Sequence, residues 1–313
     1  MDTNNYYWWK AKPKKAHESV FPYVRHLNTE QSYRNADNFK YMRLYGAQEL
    51  YGMRAYHANR AEAKSSVLNR ITLNVVQSMI DTVVSKIGKN RPKPQFLTEG
   101  GDWSMQNRAK KLTQFVEGQF QACDFYSKAA RAFLDSCIFG TGCIKIFKQN
   151  GDIKAERVFI DELTIDDKES LYGEPRQLHQ QKLIHKDVLK EMFPKFETAI
   201  EMQSRGNTTT YGMPIQNSSD MVMVVESWHL RSGPEAEDGR HIITIENETL
   251  FEEQYDKDYF PFIFWRWGIR PLGFFGQGLS EQLSGLQLEI NKILRTIQVS
   301  MHLVSVPKIF IEA

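Results

Sequence analysis

The longest amphipathic segment of the chain lies near its C-terminal end. From Gly278 to Val304, apolar residues recur every three or four positions and polar residues occupy the opposite side. This spacing predicts one continuous helix, roughly 40 Å long, that either spans a large core or lines a wet surface. Its packing stripe comprises Leu279, Leu283, Leu286, Ile290, Ile293, Ile297 and Met301. Its polar face carries Ser284, Asn291, Lys292, Arg295 and His302.

Helical periodicity recurs in the first half of the chain. It predicts helices over Asn69–Ile87, Ser104–Gln121 and Ser127–Phe139, and helices between Asn28 and Arg60 that break near Gly46 and Gly52. One further helix is predicted at Lys186–Gln203, in a region otherwise dominated by strands.

Short alternating runs bounded by turn residues predict the strands. They are placed at Gln95–Leu97, Ile144–Phe147, Lys154–Ile160, Met221–Leu230, His241–Ile245 and Phe260–Trp267. The Met221 and His241 strands are expected to pair as a hairpin, and Arg205–Ser219 is expected to be a surface linker. The fold class that follows is α+β.

These changes of pattern divide the chain into five regions. Residues 1–66 form an aromatic and basic N-terminal arm with helices, 67–150 are helices and a strand, and 151–277 are rich in strands with one helix. The long helix occupies 278–306, and 307–313 lead away from it after Pro307.

The composition of the chain limits the classes of function that the sequence supports. The net charge is only +2, whereas proteins that hold nucleic acid tightly usually carry a strong basic surplus, so any DNA contact is expected to be local or weak. Three cysteines without a C-x-x-C pair indicate reduced thiols in a cytosolic protein rather than disulfides or a zinc site. No signal peptide and no membrane-spanning segment are predicted.

The N-terminal aromatic cluster has two interpretations. Tyr6, Tyr7, Trp8 and Trp9 lie beside several lysines, a combination that can stack on bases and meet phosphates. The interpretation we favour is that these aromatic side chains dock on a neighbouring protein surface while the lysines remain solvated.

Four sequence motifs contain residue types that can bind a phosphate, a metal ion or a nucleic-acid base. The glycines from Gly273 to Gly278 precede a helix and could cradle a phosphate, but the loop lacks a Gly-Lys-Ser/Thr continuation and dinucleotide spacing, so a structural hinge is favoured. Asp161, Glu162, Asp166, Asp167 and Glu169 could hold a cation, but they lack the pattern of a calcium loop.

The other two motifs lie on strands. His229 and His241 could face each other across the hairpin as metal ligands, but no third ligand is evident. The strand around Arg266, with a tryptophan on each side, fits a buried core strand better than a base-stacking surface. We therefore predict no catalytic residue, no cofactor site and no metal site, and expect that the protein is not an enzyme.

Three blocks of the sequence resemble a known protein family. Residues 69–96 run from an amphipathic helix into a proline-flanked strand, residues 132–147 run from a helix through a glycine turn into a strand, and residues 260–307 include the long helix. Together they resemble the portal proteins, or head-to-tail connectors, of tailed bacteriophages, especially short-tailed phages.

The resemblance implies a ring of about twelve identical subunits at one vertex of the capsid. Double-stranded DNA would pass through its centre during packaging and ejection. Residues 67–277 would form a mixed wing, 278–306 a stem helix lining the tunnel, and 307–313 the start of a clip. Expected partners are the terminase, the scaffold and major capsid proteins, and tail adaptor proteins, with assembly in the host cytoplasm, location in the virion and no membrane partner.

Members of that family continue beyond this point into the rest of the clip, a second stem helix and a crown. The resemblance therefore implies that the chain is part of a longer protein or that the remaining elements come from elsewhere. On this view Lys292, Arg295 and His302 face the tunnel with Ser284 and Asn291 beside them, and Glu289 pairs with Lys292. The alternatives are a head–tail adaptor that does not contact DNA and a nucleotide-binding enzyme that uses the Gly273–Gly278 loop.

Overall fold

The computed structural model describes residues 7–11, 15–46, 73–149, 151–172, 174–203, 208–210, 213–215 and 220–305. Several predictions lie outside these residues: the helix break near Gly52, the first turn of the helix predicted from Asn69, most of the Arg205–Ser219 linker, and the exit at 307–313.

The described residues contain eight α-helices. They are α1 (His17–Glu30), α2 (Ser32–Tyr45), α3 (Val75–Gly88), α4 (Trp103–Ala122), α5 (Phe125–Phe139), α6 (Lys186–Met192), α7 (Glu197–Met202) and α8 (Leu279–Ser305). Short 3-10 turns occupy Trp8–Lys10, Ile160–Glu162 and Pro194–Phe196. The helices predicted at Ser104, Ser127 and Gly278 are confirmed to within two residues.

The strands form two main antiparallel sheets. They are β1 (Thr141–Gln149), β2 (Asp152–Val158), β3 (Leu163–Thr164), β4 (Gln177–His185), β5 (Thr208–Thr210), β6 (Met213–Ile215), β7 (Met221–His229), β8 (Arg240–Ile245), β9 (Glu248–Gln254) and β10 (Phe262–Arg266). One sheet has the order β10-β1-β2 and the other β3-β4-β7-β8-β9, while β5 and β6 pair separately. The mixed α+β class is thus confirmed.

The two sheets are covered by different helices. Helix α5 packs across the three-stranded sheet, and α2, α3 and the start of α8 pack around α5. Helix α1 and the N-terminal residue Trp8 cover the five-stranded sheet, where Trp8 is fully buried. Phe262 of β10 meets Trp228 of β7 edge to face, with ring centroids 5.0 Å apart, so the two sheets contact each other directly.

The structure corrects several local predictions. Residues Gln95–Leu97 form no strand and pair with none in the described part of the chain, so the strand predicted there is wrong. The predicted helix Lys186–Gln203 is interrupted at Phe193, since Pro194 begins a 3-10 turn there. Within the predicted buried strand at Phe260–Trp267, Phe262 is buried but Ile263 remains 42% exposed.

Candidate functional site

The entry to the long helix α8 is built from two glycine turns in direct contact. Gly140 ends α5 with a positive φ of 89°, and a Cβ placed there would lie 2.3 Å from the carbonyl oxygen of Gly276. A Cβ on Gly276 would in turn lie 2.4 Å from the carbonyl oxygen of Gly140. Glycine is required on both sides because only a bare backbone permits this approach.

The same contact uses the backbone groups of the Gly273–Gly278 loop. The amide of Gly276 donates to the buried hydroxyl of Thr141 at 2.8 Å. The amides of Gly273 and Gln277 donate to the carbonyl oxygens of Leu171 and Gly268. These amides are therefore engaged within the protein, an arrangement that favours the hinge interpretation over a phosphate cradle.

About two turns into α8, Gln287 ties the helix to α3. Its side-chain oxygen accepts hydrogen bonds from the amides of Val75 and Val76, at 2.8 and 3.3 Å. Its side-chain nitrogen donates to the carbonyl oxygen of Leu73 at 2.6 Å. Because the first N–H groups of a helix lack intrahelical partners, Gln287 caps α3 from a distant part of the sequence.

The burial of the predicted packing stripe changes along α8. Leu279 and Leu283 pack against the core, and Ile290 is half-buried. Leu286, Ile293, Ile297 and Met301 are half or more exposed, with Met301 at 67%. A second set of exposed apolar side chains, Leu288, Val299 and Leu303, lies on another side of the same helix.

The residues of the predicted polar face also differ in their solvent exposure. Ser284 and Asn291 are half-buried: the Ser284 hydroxyl donates to the carbonyl oxygen of Glu281, and Asn291 accepts from the Gln287 amide at 3.0 Å. Lys292, Arg295 and His302 are exposed. The expected pair is present, since Lys292 Nζ lies 2.6 Å from Glu289 Oε1.

A buried cation joins the two sheets. Lys145 of β1 forms an ion pair with Glu226 of β7, donates to Gln180 of β4 at 3.1 Å, and lies 4.7 Å from the Trp228 ring centre. Burial alone would raise the pKa of Glu226, but hydrogen bonds from His241 and Lys145 outweigh it, and the pKa is lowered.

Gln287 and Lys145 were both missed by the sequence analysis. Gln287 lies between Leu283 and Leu294 on the side of α8 that packs inward, so a polar residue interrupting an inward-facing stripe was a usable signal. Lys145 sits in a hydrophobic strand, and nothing in the local pattern identifies its partners on β4 and β7.

The acidic run does not gather at one point. Asp161 is half-buried near Arg34 and its carboxylate accepts a hydrogen bond from the Asn38 side chain at 2.6 Å. Partial burial raises the pKa of Asp161 to about 6. The Asp166 carboxylate instead accepts a hydrogen bond from the backbone amide of Lys168 within its own loop. Among the residues that the structure describes, no group of three or more His, Cys, Asp or Glu side chains is arranged to hold a metal ion.

The proposed facing of His229 and His241 is wrong. In the register of β7 and β8, His241 lies opposite Trp228 and His229 lies opposite Arg240. Adjacent strand residues point to opposite faces, so the two imidazoles occupy different sides of the sheet. His241 stacks on Trp228 and contacts Glu226 and Glu253, at 2.9 and 2.7 Å.

The docking interpretation of the N-terminal aromatic residues is confirmed for Trp8 and Trp9. Trp8 Nε1 donates to Gln177 at 2.8 Å, and Trp9 stacks on His229 with centroids 4.2 Å apart. Arg240 donates to the carbonyl oxygens of Trp9 and Ala11. These rings are therefore engaged with the five-stranded sheet of the same chain.

The fold and this site define a mixed α+β protein with one long helix that is anchored at its start and exposes apolar flanks beyond. The sequence profile of the phage P22-like portal protein family matches residues 57–260, about two-thirds of the chain. The chain therefore belongs to the phage P22-like portal protein family, whose members are structural and not catalytic.

The matched region covers both sheets up to Phe260 and ends before α8. Comparison with the curated proteins found no match to this chain. In the part of the chain that the structure describes, no helix is long and apolar enough to cross a membrane.

Proposed function

We propose that this chain is a portal subunit that assembles into a ring of about twelve copies at one capsid vertex, with α8 as the stem helix around a DNA channel. One observation carries the proposal. Helix α8 is fixed to the rest of the protein near Gln287, whereas Ile293, Ile297 and Met301 beyond it are exposed apolar side chains. Exposed apolar side chains grouped in this way mark surfaces that other proteins cover.

Two different apolar flanks suit a ring. A two-fold dimer uses the same patch on both partners, whereas a cyclic ring joins two different patches on each subunit. The stripe through Ile293 and Ile297 and the stripe through Val299 and Leu303 lie on separate sides of α8, with Glu289 and Thr296 on the surface between them. Each α8 would contact one neighbour through each flank.

The channel would be lined by polar side chains of the stem. We assign Arg295 and His302 to the lumen because they are exposed and lie seven residues apart on one helical face. Lys292 lies on the neighbouring side of α8, between Val299 and Leu303, and would reach the lumen from that flank. Ser284 and Asn291 would continue the face of Arg295 and His302 toward the wing. Since each neutralised phosphate adds salt-sensitive affinity, a near-neutral chain with few lumenal cations would let DNA slide.

The remaining regions take the roles that portal membership suggests. Residues 67–277 would form the wing, 1–66 an arm with helices on the wing surface, and 307–313 the start of the clip. The terminase and tail adaptors would dock at the clip, the scaffold and major capsid proteins would surround the ring, and the assembled protein would reside in the virion.

The lumenal assignment can be tested by DNA packaging into capsids that carry Lys292→Glu with Arg295→Glu. We expect normal rings and a reduced amount of packaged DNA, because the two glutamates in each subunit would repel the negatively charged phosphate backbone of the DNA. Lys154→Glu with Lys195→Glu makes the same change in charge at exposed wing positions and should package normally. Normal packaging by the stem variant would remove the proposed role of these residues and favour an adaptor that does not contact DNA.

A further inference from the structure

Positive and negative residues are concentrated in different regions of the chain, although its net charge is only +2. Residues 86–131, here called the basic lobe, contain nine Lys and Arg against four Asp and Glu, a net charge of +5. Residues 232–258, here called the acidic hairpin, contain nine Asp and Glu against two Lys and Arg, a net charge of −7. The long helix of the basic lobe, α4, has no buried residue, and the acidic hairpin includes β9, the edge strand of the five-stranded sheet, although Ile242 and Ile245 of β8 are core residues.

The basic lobe presents a helix without a partner on its outer side. It comprises the end of α3, all of α4 and the start of α5, and α4 packs chiefly against α5. None of the 20 residues of α4 is buried, and Trp103 and Phe115 are 78% and 55% exposed. A cavity of about 630 Å³ lies beside α4, lined in part by Arg91, Tyr126 and Trp265. A helix with this much exposed apolar surface is expected to be covered in the assembled protein.

The cations of the lobe are available to an outside partner. Arg108, Lys110 and Lys111 of α4 are exposed, and none of the three forms an ion pair with the described residues. Lys86 and Lys89 at the end of α3 are exposed in the same way.

The acidic hairpin is the counterpart. It contains β8 and β9, and β9 is the edge strand of the five-stranded sheet. Glu235, Glu237, Asp256 and Asp258 are exposed and form no ion pair with the part of the chain that the structure describes. Tyr259, next to the hairpin, is 61% exposed, so this surface also offers an aromatic ring among its charges.

We propose that the basic lobe of one subunit docks on the acidic hairpin of the next subunit, forming the wing part of the ring interface. This inference rests on the proposed ring. A cyclic assembly needs two different complementary patches on each subunit. This chain carries two patches of opposite sign, and each has exposed charges that take no part in the ion pairs of the described residues. Exposed aromatic residues on both patches would supply the apolar part of the contact. DNA is the weaker candidate for the lobe, because phosphates alone leave Trp103 and Phe115 uncovered.

Charge reversal on each side tests the contact. We would measure the protein concentration at half-assembly of the full-length protein by light scattering at low salt. Lys110→Glu with Lys111→Glu should raise that concentration about tenfold or more, and Asp256→Lys with Asp258→Lys should do the same. The variant carrying both pairs should return to within about threefold of the unsubstituted protein, because the charges are again complementary.

The control is Lys154→Glu with Lys195→Glu, which changes the net charge equally at exposed positions outside both patches. It should assemble normally. If either charge reversal leaves ring assembly unchanged, or if the combined variant does not regain assembly, this interface is wrong. The proposal that the protein forms a ring would still stand. An unsubstituted protein that remains a monomer would instead overturn the proposed function.

Discussion

Gln287 of α8 accepts a hydrogen bond from the backbone amide of Val75 at 2.8 Å, although the two residues are 212 positions apart. Gln287 also forms hydrogen bonds with Val76 and Leu73. The long helix thereby supplies hydrogen-bond partners to backbone groups at the start of α3. Helix α3 in turn packs on α5, so the anchorage links the proposed stem to the wing. A displacement of α8 at this point would have to break several hydrogen bonds at once.

Replacing Gln287 by alanine should destabilise the protein by about 1–3 kcal/mol, because the buried amide of Val76 loses its acceptor and the carbonyl oxygen of Leu73 loses a donor, while the Val75 amide keeps only its bond to Leu73. Denaturant unfolding of the monomer measures this. Gln282→Ala, at an exposed position on the same helix, is the matched control and should change stability by less than about 0.5 kcal/mol. Equal effects of the two substitutions would show that the cap contributes nothing.

Gly278→Ala should be among the most damaging single substitutions in the chain. Its Cβ would lie 2.5 Å from the carbonyl oxygen of Ile138 and 2.8 Å from the amide nitrogen of Gly140. We expect a loss of several kcal/mol or failure to fold, since backbone atoms would have to move.

Gly285→Ala is the control for that substitution, because a Cβ there meets nothing within 4 Å and the position is inside α8. It should stabilise the protein by about 0.5–1 kcal/mol. Thermal unfolding of both variants checks the pair, and a tolerated Gly278→Ala would mean that the two turns are not in contact.

The stability contribution of Asp161 should depend on pH. Burial raises its pKa to about 6, so the native state holds this proton more tightly than the unfolded chain does. The stabilisation from Asp161 is therefore full in acid and is lost as pH rises through about 6. Asp161→Asn should cost about 2 kcal/mol more at pH 4.5 than at pH 7 in denaturant unfolding. A substitution cost that is the same at both pH values would contradict the raised pKa of Asp161.

Lys145→Met should destabilise the protein by about 3 kcal/mol or more, because it leaves Glu226 without its buried cation. Lys148→Met on the same strand, where the lysine is exposed, should cost less than about 0.5 kcal/mol. Adding Glu226→Gln to Lys145→Met should recover part of the loss. Unfolding free energies of the four proteins provide the test, and a Lys145→Met cost no greater than that of Lys148→Met would exclude a stabilising role for the pair.

Ile297→Lys should prevent ring formation without unfolding the monomer, since this side chain is 50% exposed in the single chain and lies on one proposed flank. Thr296→Lys, one position away on the polar surface between the flanks, should leave rings intact. Light scattering and circular dichroism together separate assembly from folding. Intact rings in the Ile297 variant would mean that this flank is not at a subunit interface.

Periodicity was sufficient for α4, α5 and α8, because each has a local pattern of apolar residues and a recognisable end. Asp102, for example, caps α4 by accepting a hydrogen bond from the backbone amide of Met105. The hairpin of β7 and β8 was confirmed for the same local reason. Periodicity did not predict α1, and Pro194 interrupts the helix predicted at Lys186–Gln203.

Strands β4 and β9 were missed because their sequences, QLHQQKLIH and ETLFEEQ, are polar. Their partners in the sheet, rather than their own composition, determine their conformation. The same holds for Gln287 and Lys145, whose partners lie far away in sequence. The lumen-facing set is harder still, since burial within one chain does not fix which side of α8 meets a neighbour.

The most direct test of the central claim is the mass and shape of the assembled full-length protein. Light scattering combined with negative-stain imaging should show closed particles of about twelve subunits with a hole on the axis. A uniform population of monomers or dimers without an axial opening would contradict the account.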